Sequence, residues 1–290
     1  MKSYGVPYMG SKTKIADSLM KALPSGRRFV DLFGGGFAMT ECAMRSGKYE
    51  SFLYNDIDPL IVNLILDAIK GKYNFANFDP QWVSRETFQA NKEKDGYIKF
   101  IWSFGNQGKT YLFGEDIEEW KRKAFEFVVH GKKDIELLKA IPGIAKIKER
   151  KIHERRIAFQ KAAREAGLGE NASRIAAIER MQSLQQLEAL QRLEALQRLE
   201  ARVGSYEDYK YQEGDVVYCD IPYPGTASYS TDFDYQSFFE WVKAQPFPIY
   251  ISCYPMPNSG FELVWAKCKT KLFSAQDNRT LAMECLYKSK

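Results

Sequence analysis

Arg28-Phe29-Val30-Asp31-Leu32-Phe33-Gly34-Gly35-Gly36 reads as a short buried strand that runs straight into three glycines. Phe37-Ala38-Met39-Thr40-Glu41-Cys42-Ala43-Met44 follows with helical composition. Strand, glycine turn and helix together are the layout of a nucleotide-cofactor loop, where glycine permits a tight turn and close approach of backbone to ligand. The next apolar run, Ser51-Phe52-Leu53-Tyr54, ends in Asn55-Asp56-Ile57-Asp58-Pro59. Asp56 stands about 20 residues beyond the glycines, at a strand end, where a ribose diol requires an acid. A second reading is that Asp56 caps the helix that Pro59-Leu60-Ile61-Val62 opens.

Further along, the β-branched run Asp215-Val216-Val217-Tyr218 predicts another buried strand, followed by Cys219-Asp220-Ile221-Pro222-Tyr223-Pro224. Pro222 has no N–H and restricts the residue before it. The result is a carboxylate, a backbone carbonyl and an aromatic ring at the carboxyl end of a strand, the end at which open α/β sheets bind ligands. That corner suits an exocyclic amine. Asp220 accepts one N–H, the Ile221 carbonyl accepts the other, and Tyr223 offers a face to a flat base. The plainer alternative is a proline-rich turn in which Asp220 only caps.

The flanks complete an α/β pattern. Tyr8-Met9-Gly10-Ser11-Lys12 forms a turn, with Ser11 expected to cap a helix from Lys12 to Leu23. Backbone N–H groups there, beside Lys12, suit a carboxylate; taken alone, an ordinary basic surface turn is the plainer reading. Tyr235 to Lys243 reads as a helix, Pro248 to Cys253 as a strand, and Leu263 to Tyr287 as two closing strands.

Composition narrows the class. The chain has 290 residues, enough for one large domain or a domain with an inserted lobe. A net charge of +5 is compatible with a polyanionic partner without specifying one. Five scattered cysteines with no CxxC pair argue against a disulfide framework and fit a reducing cytosol. Two histidines with no ligand spacing argue against a metal site. No apolar run reaches membrane-spanning length, and the N-terminus lacks a signal-peptide core.

Between Lys72 and Glu213 the strand–helix alternation fades. Trp102 to Tyr111 is a glycine-punctuated aromatic loop whose Asn106, Lys109 and Tyr111 could meet bases and phosphate, or simply form a surface loop. Lys146 to Arg164 is dense in positive charge, including Lys148, Lys151, Arg155 and Arg156. It reads either as a phosphate-contacting helix or as a solvated one laced with i,i+4 pairs. A hexad repeat over 184–201 places leucine at every third position. At 3.6 residues per turn this winds the leucines right round a helix, which is not a heptad coiled coil. A helix buried on several sides or an expanded spacer both fit.

With these residues in place the chain resembles the Dam-like (D12 class, alpha group) DNA adenine-N6 methyltransferases, in particular phage-type members, a likeness that leaves open whether a restriction-modification partner exists. The resemblance runs through Gly10-Ser11-Lys12, Phe33–Gly36, Asn55-Asp56 and Asp220–Tyr223 in that order. Two positions depart from the family pattern: Ile221 replaces the first proline of Asp-Pro-Pro-Tyr, and Phe37 stands where the cofactor loop commonly ends in glycine.

The resemblance implies an α/β, Rossmann-like S-adenosylmethionine-dependent fold. Residues 1–71 and 212–290 would form the catalytic domain, and 72–211 a mostly helical inserted target-recognition region. It implies S-adenosylmethionine held by Tyr8, Gly10, Ser11, Lys12, Asp31, Phe33, Gly34, Gly35, Gly36, Asp56, Ile57 and Asp220. Asp220, Ile221, Pro222 and Tyr223 would act on a flipped adenine. The expected partner is double-stranded DNA, acted on by a monomer without metal or membrane, in the cytoplasm of a bacterial or phage-infected cell. Methylation of RNA or of protein glutamine, and a catalytically weak DNA-binding relative, are the competing expectations.

Overall fold

The computed structural model describes residues 4–149, 151–167, 179–223, 233–256, 260–270 and 281–289. Pro224 of the quoted motif lies outside them.

Among the described residues seven strands build one sheet: β1 (Arg28–Asp31), β2 (Ser51–Asp56), β3 (Leu199–Val203), β4 (Asp215–Asp220), β5 (Ile249–Cys253), β6 (Glu262–Thr270) and β7 (Leu281–Lys288). Their order is β3-β2-β1-β4-β5-β7-β6. The first five are parallel, and β7 runs antiparallel to both β5 and β6. β5 is buried at every position and β4 at all but its last, as expected of central parallel strands covered on both faces. The chain turns outward in opposite directions from β1 and β4, which are neighbours. This is the reversal point beside whose carboxyl ends an α/β sheet opens a crevice. Register places Asp31 opposite Tyr54 and Tyr218, and Asp220 opposite Ser252.

Three helices serve the β1–β2 end: α1 (Ala16–Ala22), α2 (Ala38–Ser46) and α3 (Pro59–Ile69). α1 starts four residues later than expected, and Ser11 is not its cap. Ser11 Oγ accepts the Thr13 N–H at 3.4 Å inside a preceding turn, and the helix begins after Ile15 with no side-chain cap. The cap of α3 is Asp58, whose carboxylate accepts the Leu60 N–H at 2.9 Å, ahead of Pro59. Asp56 is therefore free of that duty.

Two compact units divide the chain, one of residues 1–71 and 189–290 and one of 72–188. The expected insert limit of 211 is thus too late by more than twenty residues. β3, within that stretch, belongs to the sheet and pairs with β2 from Phe52–Leu199 to Asp56–Val203. The leucine repeat is not one helix. Its first part ends α8 (Glu179–Leu190), a turn follows, then a short 3₁₀ turn at Leu196–Arg198, and Leu199 opens β3. Leaving the helix resolves the winding problem, because Leu190, Leu193 and Ala195 are each buried from a different local conformation.

The second unit is helical: α4 (Arg85–Asn91), α5 (Glu115–His130), α6 (Ile135–Ala140), α7 (Ile152–Glu165) and most of α8. Phe88, Trp102, Phe125, Phe127, Phe159 and Leu187 are fully buried in it. In the first unit, α9 (Tyr235–Ala244) covers the sheet through Phe238 and Val242.

Candidate active site

The glycine turn owes its shape to what surrounds it. A side chain on Gly34 would put its Cβ 2.2 Å from the Tyr54 ring, and one on Gly35, at φ +44°, 2.9 Å from the Tyr8 ring. The turn is tied down on both sides. The Gly34 N–H donates to the Asn55 carbonyl at 2.8 Å, and the Tyr54 hydroxyl donates to the Gly35 carbonyl at 2.7 Å. Phe37, the departure from the family loop, adopts φ +70°, ψ +10°, a left-handed backbone that glycine would enter without strain. Its ring is fully buried, edge-on to Tyr54.

Asn55 is a buried splice that the sequence did not reveal. Its amide donates to the Leu32 and Gly204 carbonyls at 3.0 and 2.9 Å, while its oxygen accepts Arg202 Nε at 2.9 Å. The ends of β1, β2 and β3 are thereby locked together. Asp56, next in line, accepts the Gly35 N–H at 2.8 Å on Oδ2 and the Asp58 N–H at 2.9 Å on Oδ1.

A cavity of about 480 Å³ opens at the carboxyl ends of the strands. Tyr8, Gly10, Ser11, Lys12, Asp31, Phe33, Gly34, Gly35, Gly36, Asp56, Ile57, Asp220 and Pro222 all line it. Two loops almost 190 residues apart in the chain thus meet at one site. Sequence reasoning missed Gly204, Ser205, Tyr206, Phe233 and Asp234, which line it too. The first three follow β3, and without that strand nothing in the sequence pointed to them.

The charge of this lining is distinctive. Among the described residues it carries Asp31, Asp56, Asp58, Asp220 and Asp234 against Lys12. Asp31 is buried, and its Oδ2 accepts Thr40 Oγ1 at 2.8 Å while Oδ1 has no hydrogen-bond partner. Burial pushes its pKa up to about 7, helped by the charges of Asp220 and Asp56 and opposed by Thr40. Burial also raises Asp56 and Asp220; the N–H groups of Asp58 and Gly35 resist it at Asp56, and Lys12 resists it at Asp220.

Asp220 is held by one oxygen. Lys12 Nζ lies 2.6 Å from Oδ1, and Ser252 Oγ donates to the same atom at 3.0 Å. Because an ionised carboxylate only accepts, the Ser252 hydrogen goes to Asp220 and Tyr218, 2.7 Å away, donates to Ser252. Oδ2 takes no hydrogen bond from the described residues. Ile221 turns its side chain into the sheet core, and the Pro222 carbonyl accepts the Tyr235 hydroxyl at 3.0 Å. Tyr223 does not present the free face expected of it. It is buried, with Lys12 Nζ 4.6 Å over its ring and the Tyr254 ring tilted against it at 4.4 Å.

The expected DNA-contacting residues fare unevenly. Tyr111 is buried, donates to the Val83 carbonyl and packs under Arg85, so it serves the core of its own unit. Arg155 donates to the Val128 and Val129 carbonyls near the end of α5, which makes it a helix-end clamp; burial lowers its pKa. Asn106, at φ +56°, donates to the Phe100 carbonyl and shapes a turn, and Arg156 bonds Gln185. Lys109, Lys148 and Lys151 remain exposed, the last 3.7 Å from Glu154. The exposed aromatic of that loop is Phe104, 56% exposed, between Ser103 and Tyr111, which are bridged.

A glycine turn facing an acidic strand end across a cavity at the sheet's reversal point defines a Rossmann-like enzyme of the methyltransferase type. The D12 class N6 adenine-specific DNA methyltransferase family model matches residues 8–247, and the chain belongs to that family. Its reaction is site-specific transfer of a methyl group to N6 of adenine in DNA. No curated protein matches the sequence. Among the described residues no helix is long and apolar enough to cross a membrane, and no acid, histidine or cysteine cluster could hold a metal ion.

Proposed function

We propose that the methyl donor is S-adenosylmethionine, held in this cavity, and that the substrate is an adenine extruded from duplex DNA. The observation that carries the donor is the charge of the lining. Several carboxylates against a single lysine repel a polyphosphate cofactor and attract a sulfonium and an ammonium. The cradle has room and partners for such a molecule. Asp31 Oδ1 supplies an unmatched buried acceptor, Asp56 suits a ribose diol, and Ile57, 73% exposed, offers an apolar surface to a purine. S-adenosylmethionine supplies an electrophilic methyl carbon.

The protein's part is orientation. Lys12 opposes the burial that raises the Asp220 pKa and pins Oδ1, leaving Oδ2 to accept one hydrogen of the adenine amine and then to take the proton that N6 releases. The Ile221 carbonyl accepts the other hydrogen, and Pro222 restricts the backbone that presents it. Tyr223 supplies the stacking ring, with Tyr254 yielding its place. Burial raises the pKa of Cys219, and no nucleophile is needed. The residue 72–188 unit reads the target, with Lys109, Lys148 and Lys151 on phosphate and Phe104, in place of Tyr111, as the aromatic contact. The protein acts as a monomer, in the cytoplasm of a bacterial or phage-infected cell.

The test is expression in a host devoid of N6-methyladenine, followed by sequencing of its DNA for the mark. Methylation at one short sequence, abolished by Asp220→Ala with folding retained, is the expected result. Unmarked DNA, or full marking by the Asp220→Ala protein, would remove the proposal.

A further inference from the structure

Glu284 lies on β7 and is 1% exposed, yet neither the sequence nor the mechanism above gives it a role. Its Oε2 accepts the Tyr223 hydroxyl at 2.5 Å. Register brings it there, because Cys285, the next residue, pairs with Cys253 and Leu286 with Ser252. Alternation along the strand then sends Glu284 to the face opposite Cys285. A carboxylate taken out of water is costly unless its bonds are good, and this one adds a burden by raising the pKa of Asp220, Cys253 and Tyr254 through its charge. What it provides is a short, charge-assisted anchor for one phenol.

Tyr223 is the ring at the end of the Asp220 corner. A tyrosine ring packed only by its faces and edges is free to slide and tilt in its plane; a fixed para oxygen removes that freedom. Lys12, at 4.6 Å over the same ring and 2.6 Å from Asp220, links this anchor to the catalytic acid. We infer that Glu284 is a positioning residue for methyl transfer: by holding the Tyr223 hydroxyl it sets the plane against which the target adenine is aligned with Asp220. The inference rests on the reading of Tyr223 given above.

The experiment compares Glu284→Leu, Glu284→Gln, Tyr223→Phe and the Glu284→Leu/Tyr223→Phe double variant on unmethylated plasmid DNA, with donor affinity measured separately. Glu284→Leu and Tyr223→Phe should each lower kcat at least about tenfold, the cost of a misplaced reactant, with donor affinity unchanged. Glu284→Gln, whose amide oxygen still accepts, should stay within about threefold of the parent. The double variant should be no worse than Tyr223→Phe alone. Parental kcat in Glu284→Leu, or losses that multiply in the double variant, would overturn the inference. Should Glu284→Leu not fold, unimpaired turnover by Tyr223→Phe would overturn it equally. A second readout needs no activity: in protein with ¹³C-labelled tyrosine, the Tyr223 Cζ resonance, which reports the hydroxyl's bond to a carboxylate, should move in Glu284→Leu or, if that does not fold, in Glu284→Gln. A Tyr223 Cζ resonance that ignores both substitutions sinks the inference, whereas a parent that leaves DNA unmethylated sinks only the reading beneath it.

Discussion

Lowering the pH from 8 to 6 should weaken donor binding through one residue, Asp31. Its carboxyl titrates at about 7 because burial, reinforced by the charges of Asp220 and Asp56, outweighs the bond from Thr40. A cationic ligand favours the ionised form. That form makes up about nine-tenths of the empty protein at pH 8 and about one-tenth at pH 6, so the apparent affinity should fall about tenfold. The opposite sign applies to the stability of the empty protein. A pKa raised from 3.8 to about 7 favours folding below pH 4, and about 4 kcal/mol of that is lost as pH rises through 7. Isothermal titration of S-adenosylmethionine at both pH values, in two buffers of different ionisation enthalpy, reads affinity and proton release together. At pH 6 binding should release close to one proton, and Asp31→Asn should abolish both the release and the tenfold change. An affinity that does not move with pH, or moves equally in Asp31→Asn, would refute the reasoning.

Three other expectations follow from single residues. Lys12→Met should leave Asp220 without its opposing charge, costing about 3 kcal/mol in urea denaturation and moving the acid limb of the kcat–pH profile upward, since the Ser252 hydrogen bond alone then opposes the burial that raises the Asp220 pKa. Phe37→Gly would relieve about 1–2 kcal/mol of left-handed strain but forfeit about 3–5 kcal/mol of buried ring, so denaturation should show a net loss near 2 kcal/mol. Asp215→Ala, which strips Arg28 of a bidentate partner at 2.9 and 2.7 Å at the amino end of β4, should cost about 3 kcal/mol while donor affinity stays unchanged, because the cavity lies at the other end of the strand.

The parts of this protein written in local code could be read without coordinates. A strand into Gly34–Gly36, an acid at Asp56 and a proline-stiffened Asp220 corner each depend on residues next to one another, where backbone rules act directly. Their convergence followed from connectivity, since a parallel sheet has few ways to arrange successive strand–helix units. Folding alone settled matters that turn on partners far along the chain. Leu199–Val203 is composed of helix-compatible residues yet pairs as a strand, because β2 offers an open edge of hydrogen bonds and that gain outweighs weak local preference. Tyr111 and Arg155 look like nucleic-acid contacts in a list of residues, but one is packed inside and the other is bound to helix-end carbonyls. Ser252 and Glu284 carry no motif at all. They matter only because β5 and β7 bring them beside Asp220 and Tyr223, and burial turns a 2.5–3.0 Å hydrogen bond into a constraint that no linear pattern records.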